Sequence, residues 1–327
     1  MLGFVGHRTE RSALVSVIRA LFERLIDYAG LFPPAQLSMP QAVEEYEDVQ
    51  RGPYAWIAGR FIFAVSRIVE LTSALSGGRR FAISAIVDAG SDPRDWLRNA
   101  QEKMTVLSAA RAASRFVQVK AVEVAVPAPI AARETFDPAI GQFAMASHNA
   151  NMRDLPIYVE LPRTDRFDEL LPSAMFALSR SKLGAKVRCG GLAQSAFPSS
   201  GEVAAFITAA HEYDVPFKAT AGLHHPIRGV DRASGLLMHG FLNLLAACAF
   251  AHHGADVVEL EAILEDRDAN AFRVTEEAFQ WRSRRASAAE ISAMRTAGFA
   301  SYGSCSFAEP IDDLISLGVL SGSPTAV

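Results

Sequence analysis

A chain of 327 residues, half of them apolar and about a fifth charged, can bury a large core, either as one α/β barrel or as two ordinary domains, and is too apolar to be disordered. A formal charge of −4 with no basic stripe or RNA-binding signature excludes the electrostatic footprint of a nucleic-acid partner. Three widely spaced cysteines, Cys189, Cys248 and Cys305, build neither a disulfide framework nor a CxxC cluster, which together with a charged first helix in place of a secretory leader predicts a cytoplasmic protein.

Residues 12–28 carry helical spacing through Leu14, Ile18, Leu21, Leu25 and Tyr28, and Gly30 ends the run. Ser38 and Pro40 open a second helix. Residues 1–58 are therefore predicted to be a helical extension packed on the domain that begins at residue 59, with Asp27 and Tyr28 in DYAGLFPPA packing across one end of it. A rhythm of strands and helices begins there. The apolar runs 60–65, 81–88, 116–127, 155–162, 185–189 and 216–221 read as strands, with amphipathic segments between them and Gly77-Gly78 breaking the first of these helices. Lys120 and Glu123 fall on opposite faces of the third strand unless a bulge intervenes, and Tyr158 and Glu160 share a face of the fourth.

The most apolar segment, 235–251, is interrupted by His239 and Asn243 and is shorter than a bilayer span. It is expected to be a buried helix, serving as core or as a contact in a homo-oligomer, and no membrane partner is expected. Beyond it come a helix or strand at 257–263, a strand at 272–274, a helix from Ser287 to about Arg295, a capping box of Ser306 and Glu309 with Pro310, and a disordered tail at 321–327. Six nearly all-apolar strands alternating with helices imply a parallel sheet covered on both faces. With no GxGxxG or GxxxxGK[ST] loop after an early strand, the expected fold is an α/β TIM-type (β/α) barrel over 59–320, irregular in its poorly marked last strands.

In such a barrel the carboxyl ends of the strands build the site. Here they supply Asp88, Glu123, Glu160, Lys186, Arg188, Lys218, Thr220 and the His224-His225 loop, and strand parity turns Ser84, Asp88, Tyr158, Glu160, Lys186, Arg188, Lys218 and Thr220 inward. Only five of the 32 basic residues are lysine. A lysine kept in an apolar strand can do what guanidinium cannot: lose a proton and act as an amine nucleophile.

The stretches KVRCGG (186–191) and FKATAG (217–222) resemble the lysine pair of Schiff-base (class I) aldolases of the deoxyribose-phosphate aldolase type, over residues 184–228. The resemblance implies a lyase with Lys186 as the imine-forming amine, Lys218 as the neighbour that lowers its pKa, and Asp88 or Glu160 as the acid that relays protons. Its substrate would be a small carbonyl compound, phosphorylated or carboxylated, and no cofactor is implied. Arg188 and Cys189 depart from that family's small hydroxyl residues. The expected binding set is Arg188, Cys189, Gly190, Gly191, Thr220, His224, His225 and Arg228, with Gly190, Gly191 and Arg228 as the candidates for a phosphate.

Two other readings of the residues stand beside it. His224, His225 and His239 with Glu160, joined by Cys189, are ligand types for a divalent metal such as zinc, which would make the chain a metal-dependent hydrolase or lyase. Alternatively Lys186, Arg188 and Arg228 hold an anionic metabolite in a non-catalytic binding barrel. Cys189 beside Arg188 and two lysines is a further candidate nucleophile, in a setting that favours thiolate.

Overall fold

Eight parallel strands close on themselves in a computed structural model that describes residues 16–75 and 80–322. They are β1 (Ile26–Tyr28), β2 (Ala58–Ala64), β3 (Phe81–Val87), β4 (Val117–Ala125), β5 (Ile157–Glu160), β6 (Gly184–Arg188), β7 (Phe217–Thr220) and β8 (Phe299–Ser304), and β1 pairs with both β2 and β8. The fold is the expected TIM-type (β/α) barrel. Its first strand lies inside the segment 1–58 that the sequence assigned to a helical extension: α1 (Val17–Phe22) stops short, and the chain turns into the barrel at Ile26. The part of the predicted first helix before residue 16, the Gly77-Gly78 break and all but two residues of the predicted tail lie outside the described residues.

The strands form where the reading of apolar runs put them, because in a parallel barrel one face lies under helices and the other fills the interior. The helices begin where the capping chemistry puts them. Ser38 and Gln41 form a capping box at α2 (Met39–Arg51), Ser199 and Glu202 one at α7 (Ser200–Glu212), and Ser287 and Glu290 one at α10 (Ala288–Ala297). The outer ring also holds α3 (Ile68–Ala74), α4 (Trp96–Ala113), α5 (Arg133–Asn149), α6 (Phe167–Ser181) and α11 (Ala308–Ser316). Before α11, Ser306 accepts the backbone N–H of Glu309, which is half of the predicted box; the Glu309 carboxylate goes to His224 instead.

The apolar segment resolves into a two-stranded ribbon, with Gly229 opposite Met238, followed by α8 (Phe241–Ala251), every residue of which is buried. Phe241 stacks on Tyr302 of β8, and Phe250 stacks on Phe279 of a small antiparallel sheet formed by 272–274, 279–281 and 284–286. A helix apolar all round must be covered on all sides; here the barrel lies on one side and α9 (Val257–Glu265) with the small sheet on the other. The segment 257–263 is thus helical, and the apolar helix is core. Its polar interruption is structural as well. Asn243 donates to the carbonyls of Ile263 and Asp266 and accepts from the backbone of Arg228.

The loops after β6 and β7 meet at two glycines. A side chain on Gly190 would strike the Phe197 ring and the Cα of Gly222, and Gly222 itself has φ +67 with its own Cβ position 2.8 Å from the Cys189 carbonyl oxygen. Gly222→Ala is therefore expected to destabilise the protein by about 2–4 kcal/mol in urea denaturation, from backbone strain plus overlap. Gly229→Ala, where the nearest atom lies 3.8 Å from the added carbon, changes stability by about 0.5 kcal/mol or less.

Candidate active site

Strand register sets the site. Lys186 on β6 pairs with Glu160 on β5 and with Lys218 on β7, so one carboxylate and two amines lie side by side across three adjacent strands. Burying ions costs several kcal/mol each unless opposite charges lie in contact, and the interior meets that demand by alternation. Asp27 on β1 takes the Lys218 ammonium at 2.7 Å; the same ammonium donates to Glu123 Oε1 at 2.6 Å. Lys186 Nζ lies 2.7 Å from Glu123 Oε2 and 2.9 Å from Glu160 Oε2. Arg188 Nε donates to Glu160 Oε1 at 2.9 Å, and at the opposite end Arg60 offers its backbone N–H at 2.7 Å and its guanidinium at 3.4 Å to Asp27. Seven charges of alternating sign thus run from Arg60 to Arg188. Two hydroxyls brace them: Ser301 donates to Asp27 at 2.8 Å, Ser84 to Glu123 at 2.5 Å.

Exposure rises from Lys218 toward Arg188. The Lys218 side chain is 0% exposed, Lys186 6%, Glu160 12% and Arg188 51%, so the chain opens to solvent at the carboxyl ends of β5 and β6. Burial by itself would raise the Glu123 carboxyl, but Lys186 and Lys218 outweigh it and hold the group far below the carboxylate range. Burial likewise opposes the charge of Lys186, yet Glu123 and Glu160 prevail and hold the amine above the ordinary lysine value. The expected effect of one lysine lowering the other's pKa is therefore reversed, because a carboxylate stands between them. In Glu160 and Asp27, too, burial pushes up and the neighbouring cations push down harder.

Of the predicted residues, Lys186, Lys218, Glu160 and Arg188 come together. Thr220 is the register partner of Arg188, and its carbonyl accepts the Cys189 N–H at 2.8 Å. Asp88 does not join them: past the end of β3 it accepts the Ser66 N–H at 3.1 Å and faces Lys103 at 3.7 Å. Cys189 is buried, and burial pushes its thiol up to about 12, against the thiolate expected beside Arg188. Gly190 and Gly191 are accounted for by close packing on Phe197 and Ala196. Arg228 is turned into the protein, where it contacts His239 Nδ1 at 3.1 Å and Glu265 at 3.1 Å.

The three histidines do not converge. His239 Nε2 meets the Pro198 carbonyl at 2.8 Å, and burial lowers the ring to about 4. His224 Nδ1 pairs with Glu309 at 3.0 Å, while His225 bridges Asp313 at 2.7 Å and Asp231 at 3.2 Å. Among the described residues no group of three or more His, Cys, Asp or Glu is arranged to hold a metal. The histidine pair instead ties the loop after β7 to α11.

Two members of the site escape the sequence reading. Asp27 was assigned to an extension, and Glu123, although noted at a strand end, was not chosen as the acid. A bulge against β3 does intervene, with Lys120 as its extra residue; Lys120 is exposed and Glu123 points inward.

No protein-family model matches the chain, and no curated protein matches it. Among solved structures it is similar to the tetrameric deoxyribose phosphate aldolase from Aeropyrum pernix, with a TM-score of 0.52 and 13% identity over 94% of this chain and 99% of that one. At that identity the likeness is one of fold.

Glu123→Ala removes the carboxylate shared by two buried amines and is expected to cost about 3–5 kcal/mol in chemical denaturation. Glu123→Gln, which keeps the volume and one of the two acceptor oxygens, should cost less. The loop clamp should respond to pH. The hydrogen bond to Asp313, helped by Asp231 and opposed by burial, raises His225 from 6.5 to about 9. A pKa raised in the folded state gives stability that is complete below pH 6.5 and is lost as pH rises through 9. The melting temperature of the unmodified protein should therefore fall across that window relative to His225→Asn, and parallel curves for the two proteins would contradict the assignment.

Proposed function

We propose that this chain is an aldolase-like lyase that forms an imine between Lys186 and a small carbonyl substrate. One observation carries the reading: Lys186 is the outermost amine of the interior charge series, in contact with two carboxylates and adjacent to the strand ends where (β/α) barrels do their chemistry. The likeness of fold to an aldolase and the resemblance over 184–228 support it.

In this reading the ammonium of Lys186 first gives a proton to Glu160, the more exposed of its two partners. The free amine pair attacks the carbonyl carbon, and the C–N bond forms as the carbonyl oxygen takes up protons and departs as water. In the cleavage direction, the hydroxyl on the second carbon from the imine gives its proton to Glu160, which has returned its own to the departing water. The bond between the first and second carbons breaks, its electron pair flows into the protonated C=N unit to leave an enamine, and an aldehyde departs, after which protonation of the enamine carbon and hydrolysis free the amine. Glu123, fixed by Lys218 and Ser84, stays close to Lys186 and moves protons at the imine nitrogen and the adjacent carbon. Lys218, sealed between Asp27 and Glu123, holds Glu123 in place and is not the nucleophile. The chemistry needs no cofactor.

Borohydride reduction in the presence of a panel of small aldehydes and ketones tests this. The expected result is one secondary-amine adduct per chain, mapped to Lys186 by peptide mass spectrometry and reduced to background in Lys186→Met. An adduct on Lys218, or none with any carbonyl compound, contradicts the reading. Anion-induced thermal stabilisation without an adduct would point to the binding barrel instead.

A further inference from the structure

We infer that the carbonyl substrate of this site is a 2-oxo acid whose carboxylate is held by Arg188; the inference rests on the imine chemistry proposed for Lys186. Arg188 and Lys186 are two residues apart on β6, and Glu160 touches both, with one carboxyl oxygen 2.9 Å from Lys186 Nζ and the other 2.9 Å from Arg188 Nε. Glu160 thus measures the gap: the two cations lie within the span of a single carboxylate. A substrate that puts an electrophilic carbon at the amine and an anion at the free edge of the guanidinium carries the two a short distance apart, and a 2-oxo acid is the smallest compound that does so.

Charge points the same way. From Arg60 to Arg188 four cations face three carboxylates, and of the two end cations Arg188 is the more exposed: it spends Nε on Glu160, and its two terminal nitrogens have no partner among the described residues. Those two nitrogens form an edge suited to one carboxylate in a bidentate pair. When Glu160 takes the proton from Lys186 it ceases to neutralise Arg188, so an arriving monoanion restores the balance in the state from which attack occurs.

The space beyond Arg188 is the approach to the site. A cavity of about 720 Å³ opens there between the loop after β5 and the start of α7. Its other cations are engaged, Arg163 with Glu202 at 2.7 Å and Arg166 with Glu169 at 2.5 Å, while Asp165 and Asp168 add negative charge to its lining. Such a wall disfavours a phosphorylated compound on its approach to Arg188.

The test compares borohydride trapping on Lys186 by pyruvate, acetaldehyde and dihydroxyacetone phosphate, each rate normalised to the compound's reaction with Nα-acetyl-lysine. Pyruvate should half-saturate at about a tenfold lower concentration than either competitor, the effect of one bidentate charge pair. In Arg188→Gln the pyruvate preference should fall most of the way to parity, and Arg188→Lys should retain part of it, with circular dichroism confirming the fold of each. If Arg188→Gln does not fold, the three-way comparison on the unmodified protein decides. Equal trapping of acetaldehyde and pyruvate, stronger trapping of the phosphate ester, or an unchanged preference in folded Arg188→Gln overturns the 2-oxo acid assignment and leaves the imine reading standing. No adduct with any of the three overturns both.

Discussion

Alternation of charge inside a closed barrel is the constraint on which this molecule turns. Asp27, Lys218, Glu123, Lys186 and Glu160 are withdrawn from water almost completely, and a single unpaired member would cost several kcal/mol. The arrangement works because each carboxylate is shared. Glu123 uses one oxygen for each lysine, and Glu160 uses one for Lys186 and one for Arg188. Barrel closure is part of the same solution, since Asp27 reaches Lys218 only because β1 comes round to lie beside β8, whose Ser301 supports the same carboxylate.

This pairing fixes what the site can do at rest. Two lysines in apolar contact with each other would each be pushed toward the neutral amine, whereas here Glu123 stands between them and, with Glu160, holds Lys186 as ammonium. In the proposed reading Lys186 is a nucleophile held in reserve. There it becomes reactive on passing its proton to Glu160, the partner that also meets solvent-facing Arg188. Lys218 has no such outlet and serves to hold Glu123.

The sequence showed this architecture wherever a local pattern reports a global placement. Continuous apolar runs marked β2 to β7, and capping residues marked the starts of α2 and α10. β1 was hidden because three residues carry no period of their own and Leu25 and Tyr28 continue the spacing of the helix before them. β8 was hidden because the side of FASYGS that faces the interior is built from Ser301 and Gly303, small residues that look like a loop. Lys186, Lys218, Glu160 and Arg188 were legible from parity within single strands. Asp27 was not, since its role depends on a strand that only closure creates. Glu123 lies deeper than the strand end and reaches both amines from there, which no spacing rule reports. The paired histidines misled for a related reason: their partners, Asp313 and Glu309, come from a helix some 85 residues away in sequence.

The central claim is that the interior amine nearest the mouth is a compensated ammonium in the free protein. The most direct test is an NMR titration of protein labelled with 15N at the lysine side chains, with the Lys186 signal assigned by its absence in Lys186→Met. The account predicts that this resonance is still that of an ammonium at about pH 11, beyond the ordinary lysine value of about 10.4. A Lys186 signal that turns to neutral amine near pH 7 or 8 would contradict it, and would mean that the carboxylates on either side do not hold the charge as described.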